Sequence, residues 1–136
     1  MNSIIIGASG LGREIHSFNK QIKESSCSIV AFLDDNLNAL DFYEDQNLPR
    51  IRGKIDSRNV FGDEDVILGI SNSGIKKTIV DSWDPEIKFR EFIFPNVIIG
   101  ERTILGKGIV MMPNSLISCD CTVEDFVFIN CGSQIG

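Results

Sequence analysis

Broken every six residues, positions 99–136 read IGERTI LGKGIV MMPNSL ISCDCT VEDFVF INCGSQ IG. Each block opens on an aliphatic residue: Ile99, Leu105, Met111, Ile117, Val123, Ile129 and Ile135. With 43% of the chain apolar, chance gives such a run at about 0.003 for one phase and about 0.02 over six phases. The companion positions decide the reading. Directly after the aliphatics come Gly100, Gly106, Met112, Ser118, Glu124, Asn130 and Gly136, mostly residues that tolerate a tight turn. Four after them come Thr103, Ile109, Ser115, Cys121, Val127 and Ser133, nearly all small or β-branched. Each unit therefore reads as a short strand plus a corner, and three units close one triangular coil with the aliphatics inside. An ordinary meander of short strands would also turn often, but it has no need of one phase through seven units. Residues 99–134 make two coils. Because a stack of coils leaves its last strands unpaired, the pattern predicts a longer protein or another subunit over the open end.

Upstream the period is different, with apolar runs alternating with amphipathic stretches in the manner of an α/β layer. Ser3 to Ile6, Ser28 to Leu33, Asp65 to Ile70 and Phe89 to Phe94 read as strands. Ile15, Phe18 and Ile22 line one face of a helix from Arg13 to about Glu24. Ser71-Asn72-Ser73-Gly74 supplies start chemistry for a second helix from about Ile75 to Ser82, which Asp84-Pro85 ends. Asn36 to Arg50 has no clean period and reads as a loop or short irregular helix. The expected organisation is an α/β domain over residues 1–95, followed over 96–136 by the first coils of a parallel β-helix.

Gly7-Ala8-Ser9-Gly10-Leu11-Gly12 sits between the first strand and first helix, where backbone N–H groups can receive a phosphate. Asp34 follows Gly12 by 22 residues at the end of the second strand, close to the ~20 expected of an acid that contacts a ribose hydroxyl. The loop departs from G-x-G-x-x-G at Ser9, and residues 1–95 are too few for both halves of a dinucleotide fold. One nucleotide fits better than NAD, and a nicotinamide-dependent oxidoreductase would leave the six-residue repeat unexplained. The competing structural role for these glycines, and for Asp34 and Asp35, is packing and solvated turns. His16, the single histidine, and Trp83, the single tryptophan, read as packing residues rather than as a base and a sugar platform.

With 13 basic against 19 acidic residues the formal charge is −6, which argues against a phosphate-gripping surface for nucleic acid. No apolar run approaches the ~18 residues of a membrane span, and no basic leader precedes Ile4, so a cytoplasmic location is expected. Cys27, Cys119, Cys121 and Cys131 fit no paired zinc pattern and read as reduced small hydrophobes. No metal site is expected.

Taken in order, Ile4-Ile5-Ile6-Gly7-Ala8-Ser9-Gly10-Leu11-Gly12-Arg13-Glu14, Ala31-Phe32-Leu33-Asp34-Asp35, Ile67-Leu68-Gly69-Ile70-Ser71-Asn72, Phe94-Pro95-Asn96 and the six-residue run resemble the NeuD/PglD-type sugar O- and N-acetyltransferases. That resemblance implies a Rossmann-like sugar-nucleotide-binding N-terminal domain followed by a left-handed β-helix, whose hand comes from the family alone because parallel connections are nearly always right-handed. It also implies a homotrimer with acetyl-CoA as co-substrate, and an acceptor that is a sialic acid hydroxyl or a nucleotide-linked sugar amine. By position, Gly7, Ser9, Gly10, Leu11, Gly12 and Arg13 would face the sugar or its phosphates, and Asp34 and Asp35 the base or ribose. Ser71 and Asn72 would border the same cleft. Leu11 stands where some members carry a histidine. The family's basic histidine follows a pair such as Ile135-Gly136, so it would be the next residue. No catalytic residue is therefore expected within these 136, and the chain alone is expected to be inactive. Asn130 takes a place where members can have a substrate-contacting Asn, or serves only as a coil corner. A non-catalytic nucleotide-sugar-binding module is the alternative.

Overall fold

The computed structural model describes residues 1–25 and 27–136, the side chains of 44–46 excepted. It contains two compact units, Met1–Phe89 and Arg90–Gly136.

In the first unit, β1 (Asn2–Ile6), β2 (Ser28–Leu33), β3 (Ile51–Gly53) and β4 (Asp65–Leu68) form one sheet in the order β3-β2-β1-β4. All its pairings are parallel. A parallel sheet covered on both faces needs continuous apolar runs, and Ile4, Ile5, Ile6, Phe32, Leu33, Val66 and Ile67 are wholly buried. Helix α1 (Gly10–Asn19) starts within the glycine loop and stops well short of Glu24. The Asn19 side chain accounts for the early end, since its Nδ2 donates to the Cys27 carbonyl and its Oδ1 accepts from Ser25 Oγ. Helix α2 (Ser73–Ser82) is capped by Asn72, whose Oδ1 accepts the Ile75 N–H at 2.9 Å. The aperiodic stretch holds a 3-10 segment, Asp41–Gln46. Strand β3 was not legible, because three residues with Arg52 among them carry no period.

The expected strand from Phe89 to Phe94 does not form as one piece. Phe89 makes an isolated bridge to Val66 in the first unit, whereas β5 (Phe92–Ile93) pairs with β8 (Val110–Met111) in the second. The division thus falls at Phe89/Arg90 rather than after Pro95, because β5 takes its ladder from the coil.

In the second unit a two-residue strand begins every six residues: β5, β6 (Ile98–Ile99), β7 (Ile104–Leu105), β8, β9 (Leu116–Ile117), β10 (Thr122–Val123), β11 (Phe128–Ile129) and β12 (Gln134–Ile135). They form three parallel sheets, β5-β8-β11, β6-β9-β12 and β7-β10, with partners 18 residues apart, as in Ile98↔Leu116↔Gln134. Inside, Met111, Ile117, Val123 and Ile129 pack with Ile109, Leu105, Cys121 and Val127. Both expected inward rows therefore meet in one core, with Ile99 and Ile135 at its ends, each 37% exposed.

The corners fall elsewhere than expected. Left-handed backbone occurs at Arg102, Gly108, Asn114, Asp120, Phe126 and Gly132, three residues after each aliphatic rather than one. Gly108, Asn114, Asp120 and Gly132 are types that favour positive φ and were a signal the reading missed, whereas Arg102 and Phe126 are poor candidates. Neighbouring coils hold these corners in place: the N–H groups of Asp120, Phe126 and Gly132 donate to the carbonyls of Glu101, Lys107 and Pro113. Arg102 Nη2 reaches Asp120 Oδ2 at 3.0 Å, and Asn96 Nδ2 reaches Asn114 Oδ1 at 2.8 Å. Gly100 and Gly106 serve close approach instead. A Cβ on either would overlap the next coil, at the backbone around Cys119 and Asp125 respectively.

Candidate functional site

Because β1, β2 and β4 run parallel, the segments after Ile6, Leu33 and Leu68 leave the same edge of the sheet. The chain winds from β1 through β2 to β3 and returns to β4 on the other side of β1. A reversal of this kind opens a crevice at the carboxyl ends of the strands, where α/β proteins bind ligands. The glycine loop lies on one side of it and residues 69–72 on the other.

Three glycines let the walls close. Gly7 has φ +93°, and a Cβ there would come within 2.8 Å of the Gly69 carbonyl oxygen. A Cβ on Gly12 would overlap the Gly7 carbonyl, so the start of α1 rests directly on the strand ends. Ser9 precedes α1 without a side-chain cap. Among the described residues the first-turn amides of Gly10, Leu11 and Gly12 therefore have neither intrahelical nor capping partners, which is the chemistry of an anion site. Arg13 lies beside them, its guanidinium 4.1 Å from the Tyr43 ring centroid. Its Nε is buried and has no partner among the described residues.

Asp34 and Asp35 do different things. Asp34 Oδ2 accepts the Ala8 N–H and Oδ1 the Asn36 N–H, both at 2.8 Å. The fingerprint acid thus holds the glycine loop by its backbone. Asp35 Oδ1 accepts the Ile55 N–H at 3.0 Å, and Asp35 lines a cleft of about 420 Å³ together with Asn72, Ile55, Ile75, Ile79 and Trp83. Two of the residues singled out from sequence, Asp35 and Asn72, therefore meet in one cavity. Ser71 is exposed beside Asn72 and does not line it. Asn130 belongs to the other unit, where its Oδ1 accepts the following Cys131 N–H at 2.8 Å, a local corner bond.

Trp83 is 9% exposed and packs on Phe89 with ring centroids 6.0 Å apart, yet it also forms cleft wall. Sequence reasoning saw the packing and missed the wall; Ile75 and Ile79 at i and i+4 on α2, with Trp83 four residues on at its C-cap, were the available signal. His16 is buried edge-on against Phe32. Burial, and after it the Lys20 charge, lower its pKa below the ordinary 6.5, so it packs as a neutral ring. Among the described residues no cluster could hold a metal ion, and no helix is long and apolar enough to cross a membrane.

Residues 2–83 match the family model described as the PglD N-terminal domain. The chain belongs to that family. Among solved structures, the acetyltransferase domain of PglB from Neisseria gonorrhoeae, in complex with acetyl coenzyme A, is 21% identical with a TM-score of 0.81. The match covers 98% of this chain and 63% of that one. PerB from Caulobacter crescentus, in complex with CoA and GDP-perosamine, is 17% identical with a TM-score of 0.73, covering 99% of this chain and 62% of that one. At these identities the likeness establishes the fold. The PglD-family chain spans 62–64% of the length of the structures it matches. No curated protein sequence matches it at a significant level.

Proposed function

We propose that this chain is the acceptor-binding part of an acetyl-CoA-dependent acetyltransferase that acts on a nucleotide-sugar amine or a sugar hydroxyl. The observation that carries the reading is that one PglD-family domain holds both a glycine loop with open first-turn amides and a cleft lined by Asp35 and Asn72. The amides, with Arg13, suit the phosphates of a nucleotide, and the cleft suits its base. PerB, with the same fold, binds CoA and GDP-perosamine, which supports a nucleotide sugar as the acceptor. A dinucleotide is disfavoured by a sheet of only four strands among the described residues, and by an Asp34 whose oxygens both serve the loop backbone.

The second unit is proposed as the first coils of a left-handed β-helix that assembles as a homotrimer. Ile98 and Ile104, 61% and 66% exposed on the coil, are apolar surface that a neighbouring subunit would cover. Acyl transfer needs a base near the acceptor and donors for the oxyanion. The only histidine of the sequence is His16, so no histidine stands on this coil and these 136 residues alone transfer no acetyl group. The second reading is a non-catalytic nucleotide-sugar-binding module. To separate them, the complete gene product is incubated with acetyl-CoA and UDP- or GDP-linked amino sugars or sialic acid. Release of free CoA supports the enzyme, and a product that binds nucleotide sugar but never releases CoA overturns it.

A further inference from the structure

Two arginines of the first unit lie over aromatic rings, and they differ in what their N–H groups do. Arg52, 4.4 Å from the Phe61 ring centroid, donates to both Glu64 oxygens at 2.7 and 2.9 Å and to the Asn59 carbonyl at 3.0 Å. Arg13, 4.1 Å from the Tyr43 ring centroid, has a buried Nε with no acceptor among the described residues. A guanidinium stacked on a ring face keeps its donors in its own plane, open to an acceptor at its edge. Helical side chains lean toward the N-terminus of their helix. Since the Arg13 N–H donates to the Ser9 carbonyl at 3.0 Å, its side chain lies over the turn that carries the open amides of Gly10, Leu11 and Gly12. The ring comes from elsewhere in the chain. Tyr43 stands on the crossover from β2 to β3, where its N–H donates to the Leu40 carbonyl at 2.8 Å, and the Arg50 carbonyl ties the end of that crossover to the Phe32 N–H at 2.9 Å.

We infer that Tyr43 is a positioning residue, which holds Arg13 over the first turn of α1 with its Nε and guanidinium edge turned to the phosphates of a nucleotide. A long cation held before the ligand arrives leaves less ordering to be done on binding. The buried Nε gains from an anion the acceptor that it lacks in the free chain. Because an arginine is always charged and only donates, Tyr43 acts on the phosphates and not on the base. This inference rests on the nucleotide-sugar reading above, and it adds the β2–β3 crossover to the site.

Calorimetric titration of the intact chain with UDP and GDP tests it, with circular dichroism confirming the fold of each variant. Tyr43→Leu keeps bulk and removes the ring face. It should weaken whichever diphosphates bind by about threefold to thirtyfold, and each by the same factor, since the phosphates are common to both. Tyr43→Phe keeps the face and should recover most of that loss. Arg13→Gln should weaken binding by about tenfold or more. Adding Tyr43→Leu to Arg13→Gln should then cost nothing further, because the ring has no cation left to hold. Unchanged binding in Tyr43→Leu or Arg13→Gln, no recovery with Tyr43→Phe, or an undiminished Tyr43→Leu loss in the Arg13→Gln background overturns the positioning role and leaves a nucleotide site standing. Failure of the wild-type chain to bind either diphosphate overturns the nucleotide-sugar reading and this role with it.

Discussion

Asp34→Ala separates a loop clasp from a ribose contact. Ala8 is wholly buried and its N–H donates to Asp34 Oδ2 at 2.8 Å, whereas the Asn36 N–H on Oδ1 is exposed and regains water when the carboxylate is removed. The cost therefore comes mainly from one buried amide left without an acceptor, about 1–3 kcal/mol. A local opening of that size speeds exchange of the Ala8 amide by roughly 5- to 150-fold. Hydrogen exchange followed by NMR, with no ligand present, measures it residue by residue. Urea unfolding should show a loss of the same order. If Ala8 exchanges at the wild-type rate and stability is unchanged, the carboxylate is not the clasp, and Asp34 returns to candidacy as a ligand contact.

Gly12→Ala forces a methyl group into the Gly7 carbonyl, so thermal unfolding should show a loss of about 1–3 kcal/mol. Ile117→Ala, in the coil interior at 0% exposure, should cost about 2–5 kcal/mol in a urea titration, while Ile98→Ala at 61% exposure should change the isolated chain by less than about 0.5 kcal/mol. His16 has its folded pKa lowered, so the unfolded chain takes up the proton first. Stability should be full above about pH 6.5 and fall below it by up to about 1.4 kcal/mol per pH unit. Unfolding measured at pH 7.5 and 5.5 should show the drop, and His16→Phe should flatten it.

What could be read from residue order was whatever repeats or lies close along the chain. Seven aliphatics in one phase announced the strands of the coil, because a two-residue strand and its corner recur every six residues and always turn the same side chain inward. The glycine loop and the Asn72 cap were legible for the same reason, being local to a strand–helix joint. Candidate site residues were harder. Asp34 and Asp35 are neighbours of like chemistry, and no sequence rule says which one serves the backbone and which lines the cleft.

Residue order therefore determined the two periods, the parallel α/β layer and the loop, since each depends on spacing along one stretch of chain. Tertiary structure decided the rest. The corner phase at Arg102 and Phe126 is set by bonds from a coil 18 residues away, which hold side chains in a backbone region they would not choose alone. Phe92–Ile93 went to the second unit because its ladder partner is Val110–Met111. Asp34 was drawn to Ala8, 26 residues distant, because a buried N–H without an acceptor costs more than a surface acid gains in water.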